Sequence, residues 1–296
     1  MRVFITGATG FIGSAIVAEL LHGGHRVLGL TRSDTGAQAL AAMGAEAHRG
    51  SLEDLDSLRQ GAARSDGVIH CAFDHDFSNF VANCEKDGRA IAALGSVLAG
   101  SDRPFVVTSG VGMGSPGHGQ PATEDVLNPG HPNPRKASEL AANAVAMDGG
   151  NVTVVRLPQV HDATKHGLIT RAIAVAREKG VSAYVGDGLN RFAAAHVLDV
   201  ARLYRLAIEK SEPGARYHAM AEEGVLFRSI AEVIGRGLKL PLASLSPEEA
   251  APHFGWLGMF AGLDLAASSA QTRTRLDWTP VGPGLTEDLE RHFGLR

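Results

Sequence analysis

Cysteine is nearly absent. The 296 residues hold only Cys71 and Cys84, and neither sits in a metal-ligand spacing. That excludes a disulfide framework and predicts reduced core thiols in a cytoplasmic protein. An excess of one charge is also missing. The formal net charge is −4, which gives no basis for a nucleic-acid or other polyanionic partner. No uninterrupted apolar run is long enough to span a bilayer, so no membrane partner is expected. Met1-Arg2 leads straight into a β-forming run, which leaves no room for a signal peptide. The thirteen histidines are dispersed and never form H-E-x-x-H, so no metal site is expected. Repeats and low-complexity tracts are lacking. What remains is a chain long enough for one large α/β domain, or one domain with a smaller appendage, as a monomer or homodimer acting on a small molecule.

What is present begins at the N-terminus. Arg2-Val3-Phe4-Ile5-Thr6 is a short β-forming run, and Gly7-Ala8-Thr9-Gly10-Phe11-Ile12-Gly13 follows at once. Ser14 to Leu21 then reads as helix, with Ile12, Ile16 and Leu20 on one face. Strand, glycine loop and helix together make a dinucleotide-binding fingerprint. Gly7 permits a tight turn, Gly10 lets backbone approach a pyrophosphate, and Gly13 lets helix pack close to strand. The free N–H groups and dipole of the helix N-terminus favour phosphate.

Strand and helix patterns then alternate. Further strands are predicted at Arg26–Leu30, Ala45–His48, Val68–Ala72, Pro104–Thr108 and Val152–Leu157. Helices are predicted around Leu52–Leu58, Phe77–Leu98 and Pro134–Met147. Short β-runs separated by helices imply a parallel, doubly wound sheet, a Rossmann fold, with its ligand crevice at the strand C-terminal ends. The second half is less regular. It carries helices at Leu168–Lys179, from Val197 and around Ile230–Leu238, and short strands at Ala183–Val185 and Arg216–Ala219. Ser246-Pro247-Glu248-Glu249 is a strong helix start. Residues 1–157 plus 188–219 are expected to form the nucleotide-binding domain. Residues 158–187 plus 220–296 are expected to form a small substrate cap.

The run Thr6-Gly7-Ala8-Thr9-Gly10-Phe11-Ile12-Gly13, with its G-x-x-G-x-x-G spacing, closely resembles the opening of extended and atypical short-chain dehydrogenases/reductases. The resemblance extends along nearly the whole chain. It implies a nicotinamide cofactor held by Gly7, Thr9, Gly10, Phe11, Ile12 and Gly13. After the second strand, where NAD-binding folds usually place an acidic residue, this chain has Thr31-Arg32-Ser33. The permanently charged Arg32 guanidinium suits a 2′-phosphate, so NADP(H) is the expected cofactor, although Asp34 lies nearby. Leu52 and Ala72 follow the third and fourth strands, in turns that line the adenine and inner ribose in the family. His70 and Cys71 alone read as buried strand packing.

Thr108-Ser109-Gly110-Val111-Gly112-Met113-Gly114 resembles the segment carrying the family's catalytic serine, which aligns with Ser109. The next site departs from the family. Tyr-x-x-x-Lys is expected before the sixth strand, and this chain has His131-Pro132-Asn133-Pro134-Arg135-Lys136-Ala137-Ser138-Glu139. Matching Glu139 to a common family Glu places Arg135 at the Lys position and His131 at the Tyr position. A shift of one places Lys136 and Pro132 there instead. Neither register restores the Tyr. An imidazole with a reference pKa near ~6.5 can transfer a proton at neutral pH, and Arg135 can hold a ribose or stabilise an alkoxide. The Gly-, Pro- and His-rich loop from Gly110 to Asn133 reads as a mobile lid. Arg156-Leu157-Pro158-Gln159-Val160-His161 resembles the stretch along the nicotinamide, with Pro158 and Val160 packing on the ring. His161 is a second proton-donor candidate and Tyr184 a remoter third. His196 and Asp199 read as loop-fixing residues, and Trp278 as core.

Three activities are consistent with these residues. The first is an NADP(H)-dependent oxidoreductase of a small carbonyl or alcohol, or of an imine or enone. The second is a non-catalytic NADP(H)-binding sensor, to which the missing Tyr points. The third is a nucleotide-sugar epimerase or dehydratase.

Overall fold

The computed structural model describes residues 1–117 and 119–296. The first half builds one sheet and the helices on its two faces. In order these are β1 (Arg2–Thr6), α1 (Phe11–His22), β2 (Arg26–Thr31), α2 (Asp34–Ala42), β3 (Glu46–Arg49), α3 (Leu55–Ala63) and β4 (Gly67–His70). Then come α4 (Phe80–Leu98), β5 (Phe105–Gly110), α5 (Lys136–Met147) and β6 (Val152–Leu157). The second half adds β7 (Gln159–His161), α6 (Ile169–Lys179), β8 (Ser182–Val185), β9 (Arg191–His196), α7 (Val197–Lys210) and β10 (Arg216–His218). It ends with β11 (Glu222–Leu226), α8 (Phe227–Leu238), β12 (Leu242–Leu245), α9 (Pro247–Phe254), α10 (Gly258–Ala261), α11 (Ala270–Leu276) and α12 (Leu285–His292).

Seven strands form the main sheet in the order β10-β6-β5-β4-β1-β2-β3. Its neighbours all run parallel. Along β1, Val3 and Ile5 enter one core with Ile16, Leu20, Val200 and Tyr204, while Phe4 enters the other with Leu58, Ile91 and Leu94. Burial on both faces is why the parallel strands read as continuous apolar runs. The chain leaves β1 toward β2 on one side and returns to β4 on the other. The ligand crevice opens at that switch point, beyond the strand C-terminal ends.

A second apolar core holds Ile173, Tyr184, Phe227, Ile230, Phe254 and Leu289. A three-stranded sheet, β11-β9-β7, and a two-stranded one, β12-β8, accompany it. The short strands β7, β9, β11 and β12 were not expected from the sequence. β9 stands between the cores, with Phe192 and Ala194 in the second and Ala195 in the first. Leu276 and Trp278, grouped with the cap by sequence order, pack in the main-sheet core instead. The Trp278 indole N–H donates to the Asp199 carbonyl at 3.0 Å, and that bond draws the segment back. The Asp199 carboxylate accepts from the Val281 and Gly282 N–H groups, which fixes the same loop. α9 starts on the expected capping box of Ser246 and Glu249. No helix among the described residues is long and apolar enough to cross a membrane.

Candidate active site

A cleft of about 1320 Å³ runs along the strand C-terminal ends. That exceeds the ~300–1,000 Å³ usual for one small ligand, and suits a dinucleotide with a substrate beside it. One end is the glycine loop. Gly7 has φ +72°, and a Cβ there would lie 2.8 Å from the Ala72 nitrogen, so only glycine serves. At Gly13 a Cβ would strike the Gly7 carbonyl. α2 and α3 start on side-chain caps, Ser33 to the Gly36 N–H and Asp54 to the Ser57 N–H. α1 has no such cap. Its first-turn N–H groups therefore keep their donors for a ligand, and the helix dipole favours an anion there. This unspent N-terminus is the feature that fits a pyrophosphate.

Thr9, Gly10, Phe11 and Ile12 line this end, and Thr31 and Arg32 border it beyond β2. Arg32 is exposed, and its carbonyl accepts a hydrogen bond from Arg49 at 2.9 Å. Arg49 thus brings a second guanidinium to the neighbourhood, unnoticed in the sequence because it ends a different strand, β3. Ser33 does not line the cleft; its hydroxyl is spent capping α2. Leu52, Ala72, Pro158 and Val160 line the wall. Lys165 was not expected. An Asx turn at Asp162 holds its backbone, and its Nζ lies 5.4 Å from the Phe11 ring centroid. Among the described residues no carboxylate lies within salt-bridge distance of it.

The other end of the cleft is built on β5 and the start of α5. Ser109 closes β5. Its Oγ is buried and, among the described residues, has no hydrogen-bond partner. A buried unpaired hydroxyl is costly, and the cleft is where a ligand oxygen would relieve it. His131 lines the same cleft, near Gly112, whose Cβ would lie 3.9 Å from the ring. The Asn133 N–H donates to His131 Nδ1 at 3.1 Å. The neutral ring therefore carries its proton on Nε2. Burial, and then the positive charge of Lys136, hold the His131 pKa below the usual histidine value.

Arg135, not Lys136, lines the cleft. Its guanidinium lies 4.1 Å from the Phe73 ring centroid. Nη1 donates to Asp87 Oδ2 at 2.6 Å and to the Ser138 hydroxyl, and Nη2 donates to the Thr108 carbonyl at 3.1 Å. Asp87 is the buried centre of a longer chain of bonds. The Cys71 and Ala72 N–H groups donate to Thr6 Oγ1 at 3.2 Å, and Thr6 Oγ1 meets His70 Nδ1 at 2.8 Å. The Thr6 hydroxyl therefore donates to Nδ1, and His70 Nε2–H donates to Asp87 Oδ1 at 3.0 Å. Burial would raise the Asp87 pKa, but Arg135 and then His70 outweigh it and hold the carboxyl far below its ordinary value. The network ties the turn after β1 to the first turn of α5. A charged residue on the apolar stripe of α4, between Cys84 and Ile91, is the sequence signal that would have found Asp87. Burial pushes the Cys71 thiol up to about 11, so it remains a neutral thiol.

Three expectations fail here. His161 is fully buried and does not line the cleft. Its Nδ1 pairs with Asp288 Oδ2 of α12 at 2.8 Å. Tyr184 lies in the second core under Arg228, and among the described residues no tyrosine lines the cleft. The Gly110–Asn133 segment, of which His118 lies outside the described residues, is not a free lid. Arg156 donates to the Thr123 and Val126 carbonyls, Ala122 bridges to Ala267, and Glu124 accepts from Thr272.

Comparison with known proteins agrees with the fold and with the glycine loop. Residues 3–220 match the NAD dependent epimerase/dehydratase family. An uncharacterized protein of Schizosaccharomyces pombe is 46% identical over 290 residues, 98% of each chain. The sterol-4-alpha-carboxylate 3-dehydrogenase, decarboxylating, of Dictyostelium discoideum is 31% identical over 243 residues, 77% of this chain and 73% of that one. The dTDP-glucose 4,6-dehydratase DesIV of Streptomyces venezuelae, solved with NAD and TYD bound, shares the fold. Its TM-score is 0.77 at 19% identity, over 99% of this chain and 97% of that one. The uncapped α1 behind its glycine loop, the sheet order and these matches lead to one assignment: the chain belongs to the NAD dependent epimerase/dehydratase family.

Proposed function

We propose that the protein is an NADP(H)-dependent oxidoreductase of a small organic carbonyl compound. The observation that carries this reading is the buried, unpartnered Ser109 hydroxyl, in the same cleft as the uncapped N-terminus of α1. The α1 N–H groups hold the pyrophosphate, with Lys165 facing it across Phe11. Arg32, with Arg49 beside it, meets the 2′-phosphate. Arg135, fixed by Asp87, holds the nicotinamide ribose. Segments 158–187 and 220–269 cover the substrate end.

The reduced cofactor, when bound, supplies a hydride to the carbonyl carbon. This chain's residues manage the oxygen. Ser109 Oγ–H and His131 Nε2–H donate to it as negative charge develops, in a site built before the reaction starts. The one proton the oxygen takes passes through the His131 imidazole, which recovers it from solvent at the cleft mouth. Arg135 donates to Asp87, Ser138 and Thr108, and an arginine guanidinium does not give up a proton in a protein, so it positions and does not transfer a proton.

Titration of NADPH and NADH tests the cofactor assignment. NADPH should bind more tightly, and Arg32→Asp should abolish or reverse the preference by setting a carboxylate against the phosphate. Equal affinities in the unmodified protein would overturn it. NADPH oxidation with a panel of carbonyls tests the reaction. Tight NADPH binding with no turnover of any carbonyl, imine or enone would favour the non-catalytic sensor.

A further inference from the structure

Aromatic residues are scarce in this chain, at 5% of the sequence. Five of them meet at one end of the cleft. Phe73, Phe77 and Phe80 come from the segment after β4 and the start of α4, and Trp256 and Phe260 come from the turn after α9 and from α10. Phe77 and Trp256 stack with ring centroids 4.1 Å apart and an interplanar angle of 8°. Phe260 meets Phe77 edge-on at 6.2 Å, and Phe80 meets Phe73 edge-on at 6.1 Å. All five are half-buried, so each leaves ring surface to the cleft. The wall is continuous with the reacting end, because Phe73 carries the Arg135 guanidinium, and Arg135 donates to the carbonyl of Thr108 beside Ser109.

Charge at this end narrows the occupant. The carboxylates lining the cleft are Glu53 and Asp74, both held by Lys86 at 2.9 Å, and Asp264, held by Arg191 at 2.6 Å. The charge of Arg135 is balanced by Asp87 at 2.6 Å. Of the remaining cations of the cleft, Arg32 stands beyond β2, Lys165 lies over Phe11, and Arg171 is drawn toward Glu178 at 3.5 Å. A sugar nucleotide brings two phosphates and needs free cations where it lies. A neutral ring system needs apolar faces, and offset or edge-on aromatic contacts reward it.

Resting on the oxidoreductase reading above, we propose that this aromatic wall is the substrate subsite. It takes the body of a planar, uncharged aromatic or conjugated carbonyl compound, whose oxygen reaches Ser109 and His131. It does not take a nucleotide diphosphate sugar.

The test is binding, measured by calorimetry on the NADP⁺-loaded protein, in which an oxidised ketone cannot turn over. The probes are 1-acetonaphthone, 2-butanone and UDP-glucose, each titrated with and without cofactor. The naphthyl ketone should bind at least about tenfold more tightly than butanone, as one or two aromatic contacts would provide. Trp256→Ala and Phe260→Ala should each remove most of that advantage and leave butanone and NADP⁺ affinity unchanged. Phe260→Leu should recover part of it and guards against a folding defect, which the unchanged NADP⁺ titration also excludes. Equal affinity for the two ketones, or UDP-glucose binding more tightly than both, overturns the proposal. Naphthyl ketone binding without any NADPH oxidation upholds the subsite and sinks only the reductase reading.

Discussion

α5 carries two buried arginine–carboxylate networks, one on each side of its first turn, and they are used differently. Arg156 of β6 meets Glu139 with both arms of its guanidinium at 2.8 Å, while Nη1 reaches His218 Nε2 at 3.1 Å. Its remaining donors go to the carbonyls of Thr123 and Val126. Every donor is spent inside the protein, and its side chain is 0% exposed. Arg135 meets Asp87 with equal intimacy, yet keeps 13% of its side chain exposed, and that part faces the cleft beside Phe73. The same ion-pair chemistry is structural where no face is left over and available to a ligand where one is.

The largest expected effect separates them by stability. Arg156→Leu leaves Glu139 buried with only Arg216 nearby, at 3.7 Å. Removing one partner of a buried pair costs about 3–5 kcal/mol, and urea unfolding should read that loss. Arg135→Leu should cost less, roughly 1–3 kcal/mol, because Asp87 keeps the His70 N–H and Ser138 hydroxyl as donors. It should also weaken NADPH binding about tenfold, or ~1.4 kcal/mol. If Arg135→Leu unfolds the protein as readily as Arg156→Leu and leaves NADPH affinity intact, the distinction between the two networks collapses.

Acid should sharpen the same contrast. His218 accepts from Arg156 at Nε2, so its Nδ1–H donates to the Ser268 carbonyl at 2.8 Å. Burial, then the Arg156 charge, lower its pKa to about 4. The unfolded chain binds that proton near pH ~6.5 and the folded chain does not, so the folded state loses stability as pH falls from about 6.5 toward 4. The loss is about 3 kcal/mol at most, because each tenfold difference in proton affinity between the two states is worth roughly 1.4 kcal/mol. His166, also lowered to about 4 by burial, pushes in the same direction. Unfolding free energies at pH 7.5 and 4.5 should show the drop, and His218→Gln should shrink it, since a Gln oxygen accepts from Arg156 without titrating. An unchanged drop in that variant would mean that the Arg156 network is not what resists acid.

These two networks also mark how far the sequence could be read. The glycine loop, the doubly wound sheet and the Ser246 cap depend on neighbours within one or two turns, and each lies where its local pattern puts it. His131 and Arg135 line the cleft, and Lys136, the first residue of α5, does not. Pairings across the chain were not legible. Asp288 captures His161 from 127 residues away, and Trp256 meets Phe77 only after the cap folds over. β7 and β12 are three and four residues long and become strands only by pairing with partners elsewhere. Ser33 illustrates a subtler limit: a hydroxyl after a strand serves a ribose or a helix cap equally well, and only the position of the Gly36 N–H decides.

The smallest effect concerns His131, the one histidine whose lowered pKa bears on rate instead of stability. At neutral pH its ring is neutral, with Nδ1 accepting from Asn133 and Nε2–H free to donate. Protonating Nδ1 would set two donors against each other, which acts in the same direction as burial and Lys136. The carbonyl oxygen should therefore receive a hydrogen bond from a neutral imidazole over pH 7–8.5, and the rate of NADPH-dependent reduction should be flat there. Only as pH falls below the usual histidine range does the imidazolium form; it is a stronger donor, and the rate should then rise. His131→Phe should remove that rise and lower turnover about 10²-fold, or ~2.7 kcal/mol, the lower end of what one preorganised donor contributes. NADPH affinity should not change, because the ring addresses the substrate oxygen and not the nucleotide. Single-turnover rates across pH, with NADPH titrations on both proteins, decide it. If the acid-side rise survives in His131→Phe, the titrating group is another one, and Ser109 acts on the oxygen without His131.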